Sequence, residues 1–315
     1  MTTFVLRRLA FAALLVFGVS SASLVLARLG EGDYVSGSLG IEARRETVAQ
    51  ARARYGLDKS IGQQYRDWLG RAVRFDFGTS LLYDRPVRAL VPERAANTAI
   101  LAISGLLLAT AVGLPLGIVS GSRRRGMIAG AIRAFSIVFL SLPPLLTSLV
   151  LIFVAARTGW FPISGIRTAI GSRAAALDVL HHLVVPATAL ALPMAALFER
   201  LQAQAMSEVV GEPFVLAAMA RGVPRTRIVW RDALKASLRP VAAVYGLVIG
   251  TLLSGSFAVE VMTSWPGLGN LMLDALRARD VYLVAGCAGA GAMFLAFGTL
   301  MSDLALATVD PRARE

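Results

Sequence analysis

Residues 217–240 read AAMARGVPRTRIVWRDALKASLRP, a basic segment held between two of the most apolar stretches of the chain. Glu212 and Pro213 come just before it and suit a first helical turn. There a carboxylate complements the helix dipole, and the missing N–H of proline is no loss. The helix runs to Arg221 and meets Gly222, the residue type that ends helices in the left-handed conformation. Pro224 can open a second helix, in which Arg227, Arg231, Lys235 and Arg239 recur every fourth residue as one basic stripe. Val229, Trp230, Ala233, Leu234 and Ser237 fall on its other side, and Pro240 closes the segment. Two short helices joined at a glycine, apolar on one face and basic on the other, make a docking element. An interfacial helix would carry the same charge. The small residues Ala217, Ala218, Ala220 and Gly222 favour docking, because they let a partner's cleft close around the backbone.

The rest of the chain says where such an element would stand. Of 315 residues, 56% are hydrophobic and 17% charged, with a mean hydropathy of +0.65. Soluble domains carry about 25% charged residues, so this composition points to lipid. The net charge of +12 is read as arginine holding membrane topology, not as a nucleic-acid surface. Cys287 is the only cysteine and His181–His182 the only histidines, which excludes an internal disulfide, a cysteine-cluster metal site and an HExxH motif. The only lysines, Lys59 and Lys235, do not follow a glycine. No phosphate-binding P-loop can be written, so the chain does not hydrolyse ATP alone.

Six stretches are long and apolar enough to span a bilayer: about 9–27, 98–119, 134–155, 183–198, 241–262 and 281–307. The fourth is short and holds Pro186 and Pro193. The first has too long an apolar run for a signal peptide and reads as an uncleaved anchor. Arg7 and Arg8, Arg123–Arg125, the run from Arg221 to Arg239, and Arg312 and Arg314 fall on one side. The opposite short loops hold Arg157, Arg167, Arg173, Arg277 and Arg279. Positive-inside places both termini in the cytoplasm, with residues of about 29–97 as a long outer loop whose own arginines do not vote. Within that loop Ile61, Tyr65, Trp68, Leu69 and Val73 recur at helical spacing. Short helices on the outer face of the bundle, or a helix on the lipid surface, account for them equally.

Inside the spans, Pro115, Pro143, Pro144, Pro186 and Pro193 are candidate kinks, shaping a path or only packing. Gly113, Gly117 and Gly121, and Gly246 and Gly250, are spaced for close helix contact. Glu199, Glu260 and Asp303 are placed near span ends, with no ionisable residue clearly at mid-span. His181 and His182 flank the fourth span without an evident acid partner. Adjacent side chains seldom converge on one ion, so no metal is expected.

Taken in order, these residues resemble a family. EPFVLAAMARGVPRTRIVWRDALKASLRP (212–240) is similar to the EAA loop of bacterial ABC-importer permeases, in the dipeptide/oligopeptide/nickel branch. MTTFVLRRLAF, YGLDKSIGQQYRDWLGRAVRFDFGTSL, ERAANTAILAISGLLLATAVGLPLGI, SLPPLL, HHLVVPATALALPM, VEVMTSWPGLGNLMLDALRARD and the VDPR ending (309–312) follow that branch's order. Two departures stand out. Tyr34 follows Gly32-Asp33 where the branch has proline, and Leu216 takes the EAA glutamate position.

The resemblance implies an all-α integral membrane protein with six transmembrane helices in the type I importer permease fold. An anchor and outer loop would occupy 1–94 and the transmembrane domain 95–308, with the cytoplasmic loop at 207–240 inside it. It implies a non-catalytic subunit in the bacterial cytoplasmic membrane with no cofactor of its own, Mg-ATP being bound by partner chains. Those partners would be a second homologous permease, two cytoplasmic ATPases that each grip one EAA loop, a solute-binding protein outside, and lipid. Ala217, Ala218, Ala220, Arg221, Gly222, Val223, Pro224 and Arg227 would then couple to the ATPase. Pro143, Pro144, Pro193, Glu260, Trp265, Pro266 and Gly267 become path or gate candidates, the Trp265–Gly267 turn being either an outer gate or a rigid loop. The alternative is a stand-alone secondary transporter or channel, which should show inverted repeats and midplane charges. A membrane hydrolase would need a Ser/His or metal constellation inside the spans.

Overall fold

The computed structural model describes residues 2–30, 32–39, 45–74, 76–123, 126–163 and 173–309. Arg124, Arg125, Arg167 and the stretch from Asp310 to Arg314, on which parts of the orientation and family reading fall, lie outside them, as do the side chains of Arg173, Ser254 and Asp303. Among the described residues every element is a helix. Leu6–Leu29, Val87–Ser122, Leu177–Val209 and Val281–Met301 are each long and apolar enough to cross a membrane. Two bent pairs, Met127–Ser141 with Pro144–Thr158 and Arg225–Ser237 with Arg239–Leu253, bring the number to six when each pair is one span. The chain divides into two compact units, residues 1–99 with 266–297, and residues 100–265 with 298–315.

In the first unit, α1 (Thr2–Leu29) is followed by α2 (Tyr34–Leu39), α3 (Arg45–Arg54) and α4 (Ile61–Ala72). Helix α4 opens with a capping box, Ser60 and Gln63 each bonding the other's backbone N–H. It packs on α1. Trp68 is fully buried among Phe17, Tyr65 and Phe77, with ring centroids 6.0–6.5 Å away, and Arg28 Nε donates to Gln64 Oε1 at 2.7 Å. Ile61 and Val73, which the helical spacing aligned with Trp68, are exposed instead, because only the middle of the helix lies on α1. At the head of the outer segment Gly32 takes φ +81°, and Asp33 caps α2 through Ser36 N–H while accepting from Arg52 Nε at 2.7 Å. Burial pushes the Asp33 carboxyl up, but the hydrogen bonds from Ser36 and Arg52 outweigh it and hold the group below the usual carboxylate range.

Helix α5 (Val87–Ser122) begins in this unit, which also contains α13 (Leu268–Arg277) and most of α14 (Val281–Val309) after the chain returns to it at residue 266. Asp280, fully buried, accepts from Ser80 Oγ (2.6 Å), Leu82 N–H (3.1 Å) and Leu283 N–H (3.1 Å). One carboxylate thus starts α14 and fixes the end of the outer segment.

The second unit holds α6 (Met127–Ser141), α7 (Pro144–Thr158), α8 (Arg173–Val209), α9 (Pro213–Ala220), α10 (Arg225–Arg227), a π-helical turn (Ile228–Ala233), α11 (Leu234–Ser237) and α12 (Arg239–Thr263). The glycine spacing of α5 is used as the sequence suggests. A Cβ on Gly113 would stand 2.5 Å from Ala195 O, one on Gly117 2.6 Å from Gln202 Cβ, and one on Gly121 2.4 Å from Ala203 O. Across the unit, a Cβ on Gly298 would meet Gly250 Cα at 2.6 Å. These helices touch backbone to backbone.

Two expectations about proline change. The third span is not one straight helix from 134 to 155, since α6 and α7 meet at 109°. Leu142 and Pro143 each precede a proline, a position pushed to extended backbone, and both adopt it with ψ 119° and 147°. The chain leaves the helix for two residues and restarts with Pro144 in the first turn. Pro186 and Pro193, each preceded by an ordinary residue, do not end α8, which runs 37 residues. The fourth span is therefore long, not short.

Candidate functional site

The segment 212–240 is built as two short helices around a glycine. Pro213 begins α9 after Glu212, whose extended backbone is set by the proline that follows. After Ala220 the chain closes a Schellman turn: Gly222 N–H donates to Met219 O at 2.9 Å and Val223 N–H to Ala218 O at 3.2 Å. Gly222 sits at φ +78°, as a glycine C-cap requires. Val223 then packs on Val215, Ala218 and Ile228, the apolar contact that accompanies this turn. Pro224 has extended backbone and serves as the N-cap, so the second helix starts at Arg225. Arg225 Nη2 reaches Ser122 O at 2.9 Å and fastens the segment to the end of α5.

The π turn was not legible in the four-residue arginine spacing. It inserts an extra residue per turn, and so lets neighbours Ile228 and Val229 serve two different clusters. Ile228 packs with Val215 and Ala218, while Val229 and Ala233 pack with Ile118 and Met206. Trp230, expected on the apolar side, is turned out and 45% exposed. Arg227, Arg231, Lys235 and Arg239 are all exposed, and Ser237 is buried, accepting from Gln202 Nε2 at 2.8 Å.

Of the small residues, Ala218 faces inward, while Ala217, Ala220, Arg221 and Gly222 are exposed. The exposed side of α9 also carries Phe214 (45%), Leu216 (55%) and Met219 (43%). A helix of eight residues that shows three large apolar side chains beside Ala217 and Ala220 offers a contact face.

The path candidates lie in separate places. Pro143 and Pro144 form the break between α6 and α7, and Pro193 is buried inside α8. Glu260 is fully buried and accepts from Ser256 Oγ at 3.0 Å. Trp265, 2% exposed, follows Ser264 at φ +53° and donates its N–H to Glu260 O at 2.9 Å, closing α12. Pro266 O accepts from Asn97 Nδ2 and Leu268 N–H donates to Thr98 Oγ1, with Gly267 as the N-cap of α13. The turn is thus pinned to the first residues of the second span. Sequence reading did not find α13 itself, although Leu268, Leu271 and Ala275 lie at helical spacing and are buried.

Two further corrections concern charge. His182 has a carboxylate beside it after all, its Nδ1 bonding Asp178 O at 2.8 Å with Asp178 Oδ1 3.2 Å away, one helical turn before it. Glu199 does not end its helix, since α8 runs ten residues beyond it to Val209. It lies within α8, 2% exposed, and accepts from Ser120 Oγ and Ser136 Oγ, both at 2.5 Å.

Residues 113–315 match the family described as binding-protein-dependent transport system inner membrane component, and residues 1–85 match its N-terminal counterpart. The chain is 31% identical to the oligopeptide transport system permease protein AppB of Bacillus subtilis, over 99% of each chain. It is also 31% identical to the dipeptide transport system permease protein DppB of Escherichia coli K12, over 100% of this chain and 99% of that one. A solved structure of inward-facing conformations of the MetNI methionine ABC transporter matches at TM-score 0.53 and 17% identity, covering 71% of this chain and 97% of that one. That likeness speaks for the type I importer permease fold alone. With family models matching nearly the whole length and relatives aligned end to end, the chain belongs to the binding-protein-dependent transport system inner membrane components.

Proposed function

We propose that the chain is the permease subunit of an ATP-driven importer for peptides or similar small solutes. It forms half of the translocation path with a second, homologous permease, and a solute-binding protein delivers cargo to its outer face. Both termini lie in the cytoplasm, where α9 seats in a cleft of one of two ATPase subunits through Ala217, Ala220, Arg221, Gly222 and the apolar side chains around them. Ala218 and Val223 hold the α9 turn from within, and Pro224 and Arg227 carry the chain into the basic second helix. Residues 1–94 supply the anchor and outer loop and 95–308 the transmembrane domain. Pro143, Pro144, Pro193, Glu260 and the Trp265–Gly267 turn are the elements assigned to path and gate.

The observation that carries the coupling role is the exposed side of α9, where Leu216, Ala217 and Ala220 lie between Phe214 and Met219 at its edges, followed by the Gly222 turn. Peptide cargo rests on the names of the relatives. The test is a cysteine at the exposed Ala217 in a background where Cys287 is replaced by alanine. It should cross-link to the ATPase subunit in the assembled transporter and react with water-soluble maleimide when that subunit is stripped away. Reaction only with a lipid-dissolved reagent would make α9 an interfacial helix and end the coupling assignment.

A further inference from the structure

The second unit contains a cavity of about 520 Å³ lined by α6, α8 and the end of α5, with Glu199, Ser136, Arg133, Arg200, Gln204 and Ser207 among its walls. Glu199 is a buried carboxylate whose two oxygens each accept one serine hydroxyl, and among the described residues no cation stands within ion-pair distance of it. A buried carboxylate keeps its charge at low cost only when a cation or further donors complete its shell. The exposed guanidinium-bearing side chains Arg133 and Arg200 line the same cavity, so one wall seeks a cation and the mouth seeks an anion. The apolar Ile137 and Leu140, both exposed, complete its rim.

Arg200 lies nine residues before the end of α8, roughly 13 Å along the helix. Arg133 lies six residues after the start of α6, roughly 9 Å along it. With the 212–240 segment in the cytoplasm, that depth is near the inner boundary of the hydrocarbon core, where lipid headgroups and cargo leaving the path both pass.

We infer that this cavity binds a zwitterion that carries a primary ammonium next to an anionic group. The ammonium donates to Glu199, and the anion is held by Arg133 and Arg200 with Gln204 and Ser207 beside them. An aminophospholipid headgroup and a short unblocked peptide both offer this chemistry. The inference rests on the proposed orientation and deepens it by naming what meets the inner half of the permease.

The experiment uses the whole transporter, with both permeases and both ATPases, in detergent, carrying wild-type chain or Glu199→Gln, which keeps the shape of the side chain. Retention is measured for phosphatidylethanolamine against phosphatidylcholine, and for dialanine against N-acetyl-dialanine. The wild type should prefer the primary-ammonium member of at least one pair by about tenfold, the worth of one charge-assisted hydrogen bond. Glu199→Gln should erase that preference, and Arg133→Ala with Arg200→Ala should weaken both members of the pair alike. Preference in the lipid pair alone assigns the site to a headgroup, and in the peptide pair alone to cargo. Equal retention within both pairs, or a preference that survives Glu199→Gln, overturns the inference. ATP hydrolysis stimulated by the binding protein, measured on the same wild-type preparation, reports the importer reading separately. A preparation that responds to the binding protein yet shows no Glu199-dependent preference loses only this inference.

Discussion

Replacing Gly222 with valine tests the turn within the chain, because a Cβ built there meets nothing within 4 Å. The effect on the fold is then that of the left-handed backbone at φ +78°. That conformation costs a non-glycine residue about 1–2 kcal/mol, and more for a β-branched one. A cost of this size shifts the balance between the Schellman turn and other turns by about 5- to 30-fold. Only the bent pair Arg225–Ser237 with Arg239–Leu253 includes part of the segment, and the other spans keep their packing, so the protein should insert and pair with the second permease at normal levels. What changes is the direction in which the second helix leaves α9. Asparagine tolerates the left-handed region, alanine less, and valine least. Uptake and ATP hydrolysis stimulated by the binding protein, measured in proteoliposomes, should therefore fall in the order asparagine, alanine, valine. Arg227→Ala is the control, since one exposed charge of a stripe contributes well under about 1 kcal/mol. If Gly222→Val transports at the wild-type rate with normal insertion, the turn does not set the coupling geometry.

At Gly117, where a Cβ would stand 2.6 Å from Gln202 Cβ and 2.7 Å from Glu199 O, alanine should force α5 and α8 apart at a cost of about 1–3 kcal/mol. A lowered midpoint of thermal unfolding checks this, and the same change at Gly130, which lies in α6 with open space around it, should not lower the midpoint. The folded-state pKa of Asp33 is depressed, so its contribution to stability is fully present above the unfolded value of about 4 and is lost as pH falls through the lower folded value. The protection of residues 34–39 against hydrogen exchange, relative to the intrinsic rate at each pH, should fall over that acid window in the wild type, whereas Asp33→Asn should show low protection at every pH. Cysteines at the exposed Asp58 and Met127 should be labelled from opposite sides of the membrane in intact cells, and labelling of both from outside would overturn the orientation.

What could be read in the sequence was what depends on local chemistry or on bulk hydropathy. Gly222 between two helices and the α5 glycines at intervals of four are each determined within a few residues. The π turn was hidden because it arises from the need to fill two separate clusters, which involve residues as distant as Ile118 and Met206. Glu199 was misplaced for a related reason. The apolar run ends at Phe198, just before it, and only the contacts of α8 with α5 and α6 show that the helix carries Glu199 and continues to Val209. The bend at Pro143 was underestimated in turn, because the prolines of the chain were weighed singly. Only Pro143 and Pro144 stand in series, and two consecutive pre-proline restrictions do what one does not.

The same pair has a consequence for donor accounting. A helix that starts inside an apolar medium leaves its first four N–H groups without intrahelical acceptors, and each bare donor in lipid costs several kcal/mol. At the start of α7 those four positions are Pro143, Pro144, Leu145 and Leu146, the first closing bond being Thr147 N–H to Pro143 O at 3.1 Å. Proline has no N–H, so two of the four donors do not exist. The residues that break the span thus also halve the number of orphan donors that the break would otherwise expose to the membrane.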